Sequence, residues 1–390
     1  MFAKNRKKFI FLLSGLLVIL ISSCTQADNQ SKSQDSVLLV EETEVSGEIP
    51  EFIKSEQSFG NTRTFGLEIA DVDMDSDDDI FITNYIGESM LWLNDGKGTF
   101  TQSTQTFNIS EGHDVGIADF YLDGFPDIFL LSHASPSKVY FGNESGEFID
   151  SKQNIGSETD YPGMIVLGDV DSDGDMDAFI SYYEIPNRLW LNDGNGFFEK
   201  TDTEFGVEGN PGYMELSDFN GDSFLDLFLC MSSAPDQVLL NDGNGNFINS
   251  GQALGSLTGN DAAESEDIDG DGDNDVIVTN NEEGIKVWLN QNNTGVFEES
   301  GEYFGENVSL AFILMDADSD GDFDLINAHQ NTLVSLWLND GKGSFTSAGT
   351  LTRAMRAGSF GSKDLDGDGD EDVVFGQIEG SGGTRVYFNN

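Results

Sequence analysis

The chain is short of cysteine, histidine and positive charge: two cysteines, three histidines, and 18 lysines and arginines against 71 aspartates and glutamates in 390 residues. Two cysteines cannot build a disulfide framework, so stability has to come from apolar burial and from whatever neutralises the acids. The formal net charge of −53 repels polyanions, which excludes nucleic acid and an anionic membrane surface as partners. No helical periodicity follows the first two dozen residues, and no paired acid and base or nucleophile motif marks a catalytic centre.

Aspartate is abundant, and it is placed in a fixed pattern. The stretch "DIDGDGDND" from Asp267 puts carboxylates at loop positions 1, 3, 5 and 9 and a glycine at position 6, where the chain must turn sharply. Like charges this close repel unless something positive sits among them. A hard dication suits the pattern, because calcium takes six to eight oxygens and a D-x-D-x-D-G loop offers carboxylates at 1, 3 and 5, a carbonyl at 7 and a further carboxylate beyond.

The same nonapeptide begins at Asp71, Asp119, Asp169, Asp218, Asp267, Asp316 and Asp364, at intervals of 48, 50, 49, 49, 49 and 48 residues. Seven copies at one period mean a repeat architecture and up to seven calcium ions. The ligands expected are Asp71, Asp73, Asp75 and Asp79; Asp119, Asp123 and Asp127; Asp169, Asp171, Asp173 and Asp177; Asp218, Asn220, Asp222 and Asp226; Asp267, Asp269, Asp271 and Asp275; Asp316, Asp318, Asp320 and Asp324; and Asp364, Asp366, Asp368 and Asp372. The loops at 169, 267, 316 and 364 carry every element of the pattern. Those at 71 and 218 have Ser76 and Ser223 at position 6, and the one at 119, with Tyr121 at position 3, should be weakest.

Each loop opens a short apolar run such as "DIFITNY" or "DIFLLSH", and a second run ends in a turn such as "WLNDGKGTF". These read as strands, and Asn-Asp-Gly between apolar runs signals a hairpin. Four antiparallel strands per period make one blade of a seven-bladed β-propeller, an all-β fold spanning 51–390. An EF-hand array is excluded by its flanks, which would be helices, and by its closing Glu at position 12. The chain ends on "TRVYFNN" without an outer strand, while "PEFIKSEQSFG" from Pro50 matches outer strands elsewhere, so the N-terminal strand should complete the last blade and hide an open edge.

Tandem D-x-D-x-D-G-x-x-D loops, each followed by an apolar strand and N-D-G-x-G-x-F, resemble the FG-GAP/VCBS-like repeats of secreted bacterial proteins, which are similar to the calcium-binding blades of the integrin α-subunit head. The resemblance covers all seven repeats and implies a calcium-bearing propeller. The Phe-Gly and Gly-Ala-Pro elements of integrin blades are missing, so fold carries over without function.

The start, "KNRKKFIFLLSGLLVILISSC", has a basic region and a short apolar core that is brief for a membrane span. Ile21-Ser22-Ser23-Cys24 resembles the lipobox of bacterial lipoproteins. That resemblance implies a signal peptide over 1–23, acylation of Cys24 and export to the outer membrane or cell surface, with the lipid as the membrane contact. Residues 24–50 are polar and acidic and read as a flexible tether. Cys230, in "LFLCMS", reads as a small buried apolar residue.

Mapping residues onto the blade scheme sends every propeller arginine, Arg63, Arg188, Arg353, Arg356 and Arg385, to connections on the face opposite the acidic loops. His113, His133 and His329 go there too, joined by Tyr85, Tyr161, Tyr182 and Tyr183. Of these, Arg63, His113, Arg188, Arg353, Arg356 and Arg385 are the candidate ligand contacts. The expectation is a monomeric, non-catalytic module binding a glycan or protein through that face. Two alternatives stand beside it: a polysaccharide lyase or other carbohydrate-active enzyme with its site on the same face, and a structural subunit of a surface complex.

Overall fold

The computed structural model describes residues 49–60, 63–183, 185–206, 213–231, 234–255, 260–280, 284–304, 309–330, 333–353, 356–378 and 383–390. The expected signal peptide over 1–23, Cys24 and nearly all of the expected tether over 24–50 lie outside the described residues. The described chain forms seven four-stranded antiparallel sheets and, among these residues, no helix.

Each blade starts on an inner strand: Thr64–Ala70, Gly112–Ala118, Pro162–Gly168, Met214–Ser217, Asn260–Glu266, Ser309–Met315 and Ala357–Lys363. The acidic loop follows, and its position-9 aspartate opens the second strand, at Asp79, Asp127, Asp177, Asp226, Asp275, Asp324 and Asp372. In six blades every residue of that second strand is buried. It is flanked by strands within its own sheet and by neighbouring blades on both faces, which is why its apolar run is continuous rather than alternating.

Apolar packing falls into seven clusters, and each is shared by two adjacent blades. No blade holds a core of its own, so a blade is stable only between neighbours. Cys230 is wholly buried in the cluster between the fourth and fifth blades, as its strand context indicates.

The ring closes with the chain's own N-terminal strand. Ile53–Lys54 pairs antiparallel with the last strand, Ile53 opposite Phe388 and Lys54 opposite Tyr387. Phe59, which is 1% exposed, bridges to Thr384 and packs edge-on against Trp92 and Phe100 of the first blade. One segment therefore binds both ends of the ring.

Acidic loops, outer-strand turns and chain direction set the two faces. Loops and Asn-Asp-Gly turns emerge on one face; second-to-third strand connections and outer-to-inner connections emerge on the other. Near their start on that second face, six inner strands carry a register shift. Such bulges bend a strand and re-aim its side chains, and here they shape the mouth of the central channel.

Candidate functional site

The acidic loops are built by their own side chains. The position-1 aspartate accepts the amides of positions 5 and 6, as in Asp169, whose oxygens receive Asp173 N at 3.1 Å and Gly174 N at 3.1 Å. Position 6 is left-handed in all seven loops, with φ from 74° at Ser223 to 102° at Gly369. The serines at 76 and 223 thus take the glycine conformation at some strain. Position 4 is left-handed too, even where it is Met74, Leu122, Ser172 or Ser319.

The position-9 aspartate pins the blade. One of its oxygens accepts the position-2 amide, at 2.8–3.2 Å, and the other accepts the amide that ends the third strand, at 2.8–2.9 Å, in every blade. Burial pushes these carboxyls up, to about 7 at Asp79, Asp177, Asp275, Asp324 and Asp372 and to about 6 at Asp127 and Asp226.

Carboxylate oxygens of three aspartates come within 4.8 Å of one another in five loops, those beginning at Asp71, Asp169, Asp267, Asp316 and Asp364. In each of the five, Oδ1 of the position-3 aspartate (Asp73, Asp171, Asp269, Asp318 and Asp366) is buried without a hydrogen-bond partner. Burial, followed by repulsion from the position-5 aspartate, raises the pKa of each. A buried acceptor with no donor, repeated at one position of five loops, fits a coordination vertex for a cation, and an all-oxygen donor set suits calcium. The loops at Asp119 and Asp218 have Tyr121 and Asn220 at that vertex.

The opposite face gathers histidines and tyrosines from the first three blades. His113 and His133 stack with ring centroids 4.1 Å apart, and Tyr183 meets both edge-on at 5.7 and 5.5 Å. Tyr85 and Tyr161 flank His133 at 6.0 and 5.9 Å. Tyr161 holds φ at 49°, a strained value for a tyrosine, and with Tyr183 it is exposed to solvent.

Both imidazoles are fixed as neutral tautomers. His113 Nδ1 lies 2.5 Å from the Gly163 carbonyl and His133 Nε2 2.8 Å from the Pro162 carbonyl. A carbonyl only accepts, so these nitrogens carry the protons and His113 Nε2 and His133 Nδ1 keep lone pairs. Burial, then the neighbouring His133, pushes His113 down to about 3, and burial lowers His133 as well.

Beneath this rim lies a cavity of about 340 Å³ at the channel mouth, lined among others by Phe65, His113, Asp114, Tyr183, Tyr213, Glu264 and Phe312. No lysine or arginine is among the described residues that line it. The topology places all five arginines on this face, but Arg188 is committed locally: its guanidinium lies 3.4 Å from Asp160 and sits over the buried Tyr182 ring at 5.2 Å. Tyr182 belongs to the core, its hydroxyl accepting Trp190 Nε1, whereas Tyr183, the next residue, faces the rim. His329 is engaged within the sixth blade, its Nε2 lying 2.7 Å from Ser335 Oγ.

Seven blades of four strands, each with an acidic loop, define a repeat β-propeller. A model of the FG-GAP-like repeat matches residues 71–129, 119–180, 267–326 and 316–375, more than half of the chain, and the protein belongs to that family. No curated protein matches the sequence. Among solved structures, the BP39L lectin from Burkholderia pseudomallei superimposes with a TM-score of 0.63 at 12% identity, over 85% of this chain and 96% of the lectin. BBS1N, solved in complex with ARL6DN, superimposes with a TM-score of 0.62 at 10% identity, over 87% of this chain and 97% of its own. At such identities the likeness is one of fold.

Proposed function

We propose that this protein is an exported, calcium-stabilised binding module, held at the outer membrane or cell surface by a lipid on Cys24 and the tether over 24–50, and that it binds a glycan on the histidine and tyrosine rim. The rim geometry carries this reading: exposed aromatic rings stand beside two imidazole lone pairs, over a cavity at the channel mouth. Sugar rings present C–H faces to aromatics and hydroxyl donors to such acceptors, and pockets on rigid rings are the usual place for binding. A lectin among the structures of similar fold supports a glycan; a propeller solved with a protein partner keeps the protein alternative within reach of the same test.

Calcium belongs in the loops at 71, 169, 267, 316 and 364, remote from the rim, where it neutralises charge and couples to folding. Arg63, Arg353, Arg356 and Arg385 share the rim's face and suit a carboxylate or sulfate on the glycan.

The test is a glycan array probed with calcium-loaded wild type, with Tyr161→Ala, and with an Arg353→Gln, Arg356→Gln double variant. Wild type should select a glycan class, Tyr161→Ala should lose at least about tenfold in affinity at unchanged melting temperature, and the double variant should lose acidic glycans alone. Wild type binding no glycan, or Tyr161→Ala binding as well as wild type, would overturn the glycan reading.

A further inference from the structure

The channel below the rim contains carboxylates that neither the loops nor the rim use. Asp114 and Glu264 line the mouth cavity; Glu68 and Glu215 line a second cavity of about 280 Å³. Glu68, Glu215 and Glu264 each stand three residues before the first aspartate of their loop, so three blades present a glutamate at one level of the ring. The two cavities abut along the inner strands, because consecutive residues line one and then the other: Leu67 and Glu68, Asp114 and Val115, Met164 and Ile165.

Their hydrogen bonding is uneven. Asp114 Oδ2 accepts Ile165 N at 3.0 Å and Glu264 Oε2 accepts Leu314 N at 2.8 Å, ties from one blade to the next, and the Val115 amide also donates to Asp114. Glu215, which lines the inner cavity, has neither a hydrogen bond nor an ion pair among the described residues. Glu68 has Lys363 as a distant counter-charge at the loop end. Burial raises Glu68 and Glu215 to about 8 and Asp114 to about 7. A cation in the channel would remove the desolvation cost of keeping these groups ionised.

The kind of cation follows from spacing and walls. These carboxylates do not bring three oxygens within 4.8 Å, as the loops do, so they do not form one coordination sphere. Positive charge spread along an apolar chain matches better. Phe65, Tyr213, Phe312 and Phe360 around the mouth give faces for an ammonium group, and Leu167 and Leu216 deeper in give contacts for methylenes.

We propose that the central channel is a binding site for a linear aliphatic polyamine, its ammonium groups met by Asp114 nearer the mouth and by Glu264, Glu68 and Glu215 at the level below. The mouth cavity shares His113 and Tyr183 with the glycan rim, but Tyr161 lines neither cavity, so Tyr161 separates the two sites.

The test is calorimetric titration of the calcium-saturated protein with spermidine, at two ionic strengths. Wild type should bind one spermidine per chain. Glu215→Gln and Glu264→Gln, which keep shape and remove charge, should each weaken binding at least about tenfold, while Tyr161→Ala and Glu88→Gln, on the exposed second-to-third strand connection, should leave it unchanged. Should either channel variant fail to fold, wild type alone decides: spermidine should raise the melting temperature while magnesium at equal charge and the uncharged 1,5-pentanediol do not. Equal responses to magnesium and spermidine, equal affinity in the channel variants, or no binding by wild type would each overturn the proposal.

Discussion

The side-chain amide of Asn94 donates to the Leu365 carbonyl at 2.9 Å, tying the first blade to the last across 271 residues. The same bond recurs around the ring from Asn192 to Phe120 O, Asn241 to Val170 O, Asn290 to Phe219 O, Asn339 to Ile268 O and Asn389 to Ala317 O. Each asparagine reaches the position-2 carbonyl of the preceding blade's loop, while its own backbone amide is held by a position-9 aspartate. Replacing Asn94 with alanine leaves buried carbonyls short of a donor and should cost about 1–3 kcal/mol, measured by urea denaturation in calcium. Asn94→Asp should cost more, because it turns a donor into a charge facing a carbonyl. Equal stability of all three proteins would show that the bond is incidental.

The second blade is where this staple is missing, since Gly142 stands where the other blades have asparagine. Gly142 N still reaches Asp127 Oδ1 at 2.8 Å, but a Cβ there would run into the Pro126 carbonyl oxygen. Gly142→Ala should therefore destabilise by about 1–3 kcal/mol through forced backbone movement, and Gly142→Asn should not restore the staple. A neutral Gly142→Ala in the same denaturation assay would contradict this geometry.

Calcium stoichiometry separates the loops. Metal analysis of the equilibrated protein should give about five tightly held ions, with Asp171→Asn losing one. Tyr121→Asp, which restores the vertex of the loop at Asp119, should add one. Chelation should lower the melting temperature strongly, because five buried carboxylate vertices are left without a cation. Seven ions in wild type would mean that tyrosine and asparagine at position 3 are tolerated; a melting temperature indifferent to chelation would remove calcium from the account.

Much of this was legible in the sequence because it is local chemistry repeated at one period. The loop positions 1, 3, 5, 6 and 9, the blade count and the N-terminal closure all follow from patterns within nine to fifty residues. The position-4 turn was not legible, since Met74, Leu122, Ser172 and Ser319 give no sign of a left-handed backbone. The asparagine of Asn-Asp-Gly reads as a turn residue, and only the ring shows that its side chain spans two blades. The blade scheme places the rim's histidines and tyrosines on the face opposite the loops, but not their meeting at one point of it. His113 and His133 come from the second blade and Tyr161 and Tyr183 from the third, and they meet because strand bulges and ring curvature aim them at one mouth. Channel acids stay hidden because only the ring shows that Glu68, Glu215 and Glu264, one on each of three inner strands, line its central cavities.

Stability should fall as pH rises through the channel acids. Burial, then repulsion from Glu266, raises Glu215 from 4.5 to about 8, so the folded chain binds its proton more tightly than the unfolded chain does. Relative to acid conditions, stability is then lost progressively from about pH 4.5 to about pH 8, at a slope approaching 1.4 kcal/mol per pH unit for a group titrating alone. Glu68, raised by burial and by Asp114, adds a loss of the same sign. In saturating calcium, Glu215→Gln should match wild type near pH 5 and exceed it near pH 8. Identical pH profiles for the two proteins would show that Glu215 is solvated in the folded ring.

Ring closure concentrates stability in ten residues. Deleting residues 51–60 removes the outer strand of the last blade, exposes the edge of Arg385–Phe388 and takes Phe59 out of the cluster it shares with Leu67, Ile80 and Val374. Phe59→Ala alone should cost about 3–5 kcal/mol, the usual range for a buried phenylalanine, without altering calcium stoichiometry at low temperature. The deletion should do more than add that cost, because the free edge and the unpaired first blade are exposed together and each invites pairing with another chain. Size-exclusion chromatography should show concentration-dependent association of the truncated protein, reversed by adding a peptide of residues 49–60. A truncated protein that stays monomeric with an unchanged melting temperature would mean that the ring is held shut by the Asn94 and Leu365 contact and blade packing alone.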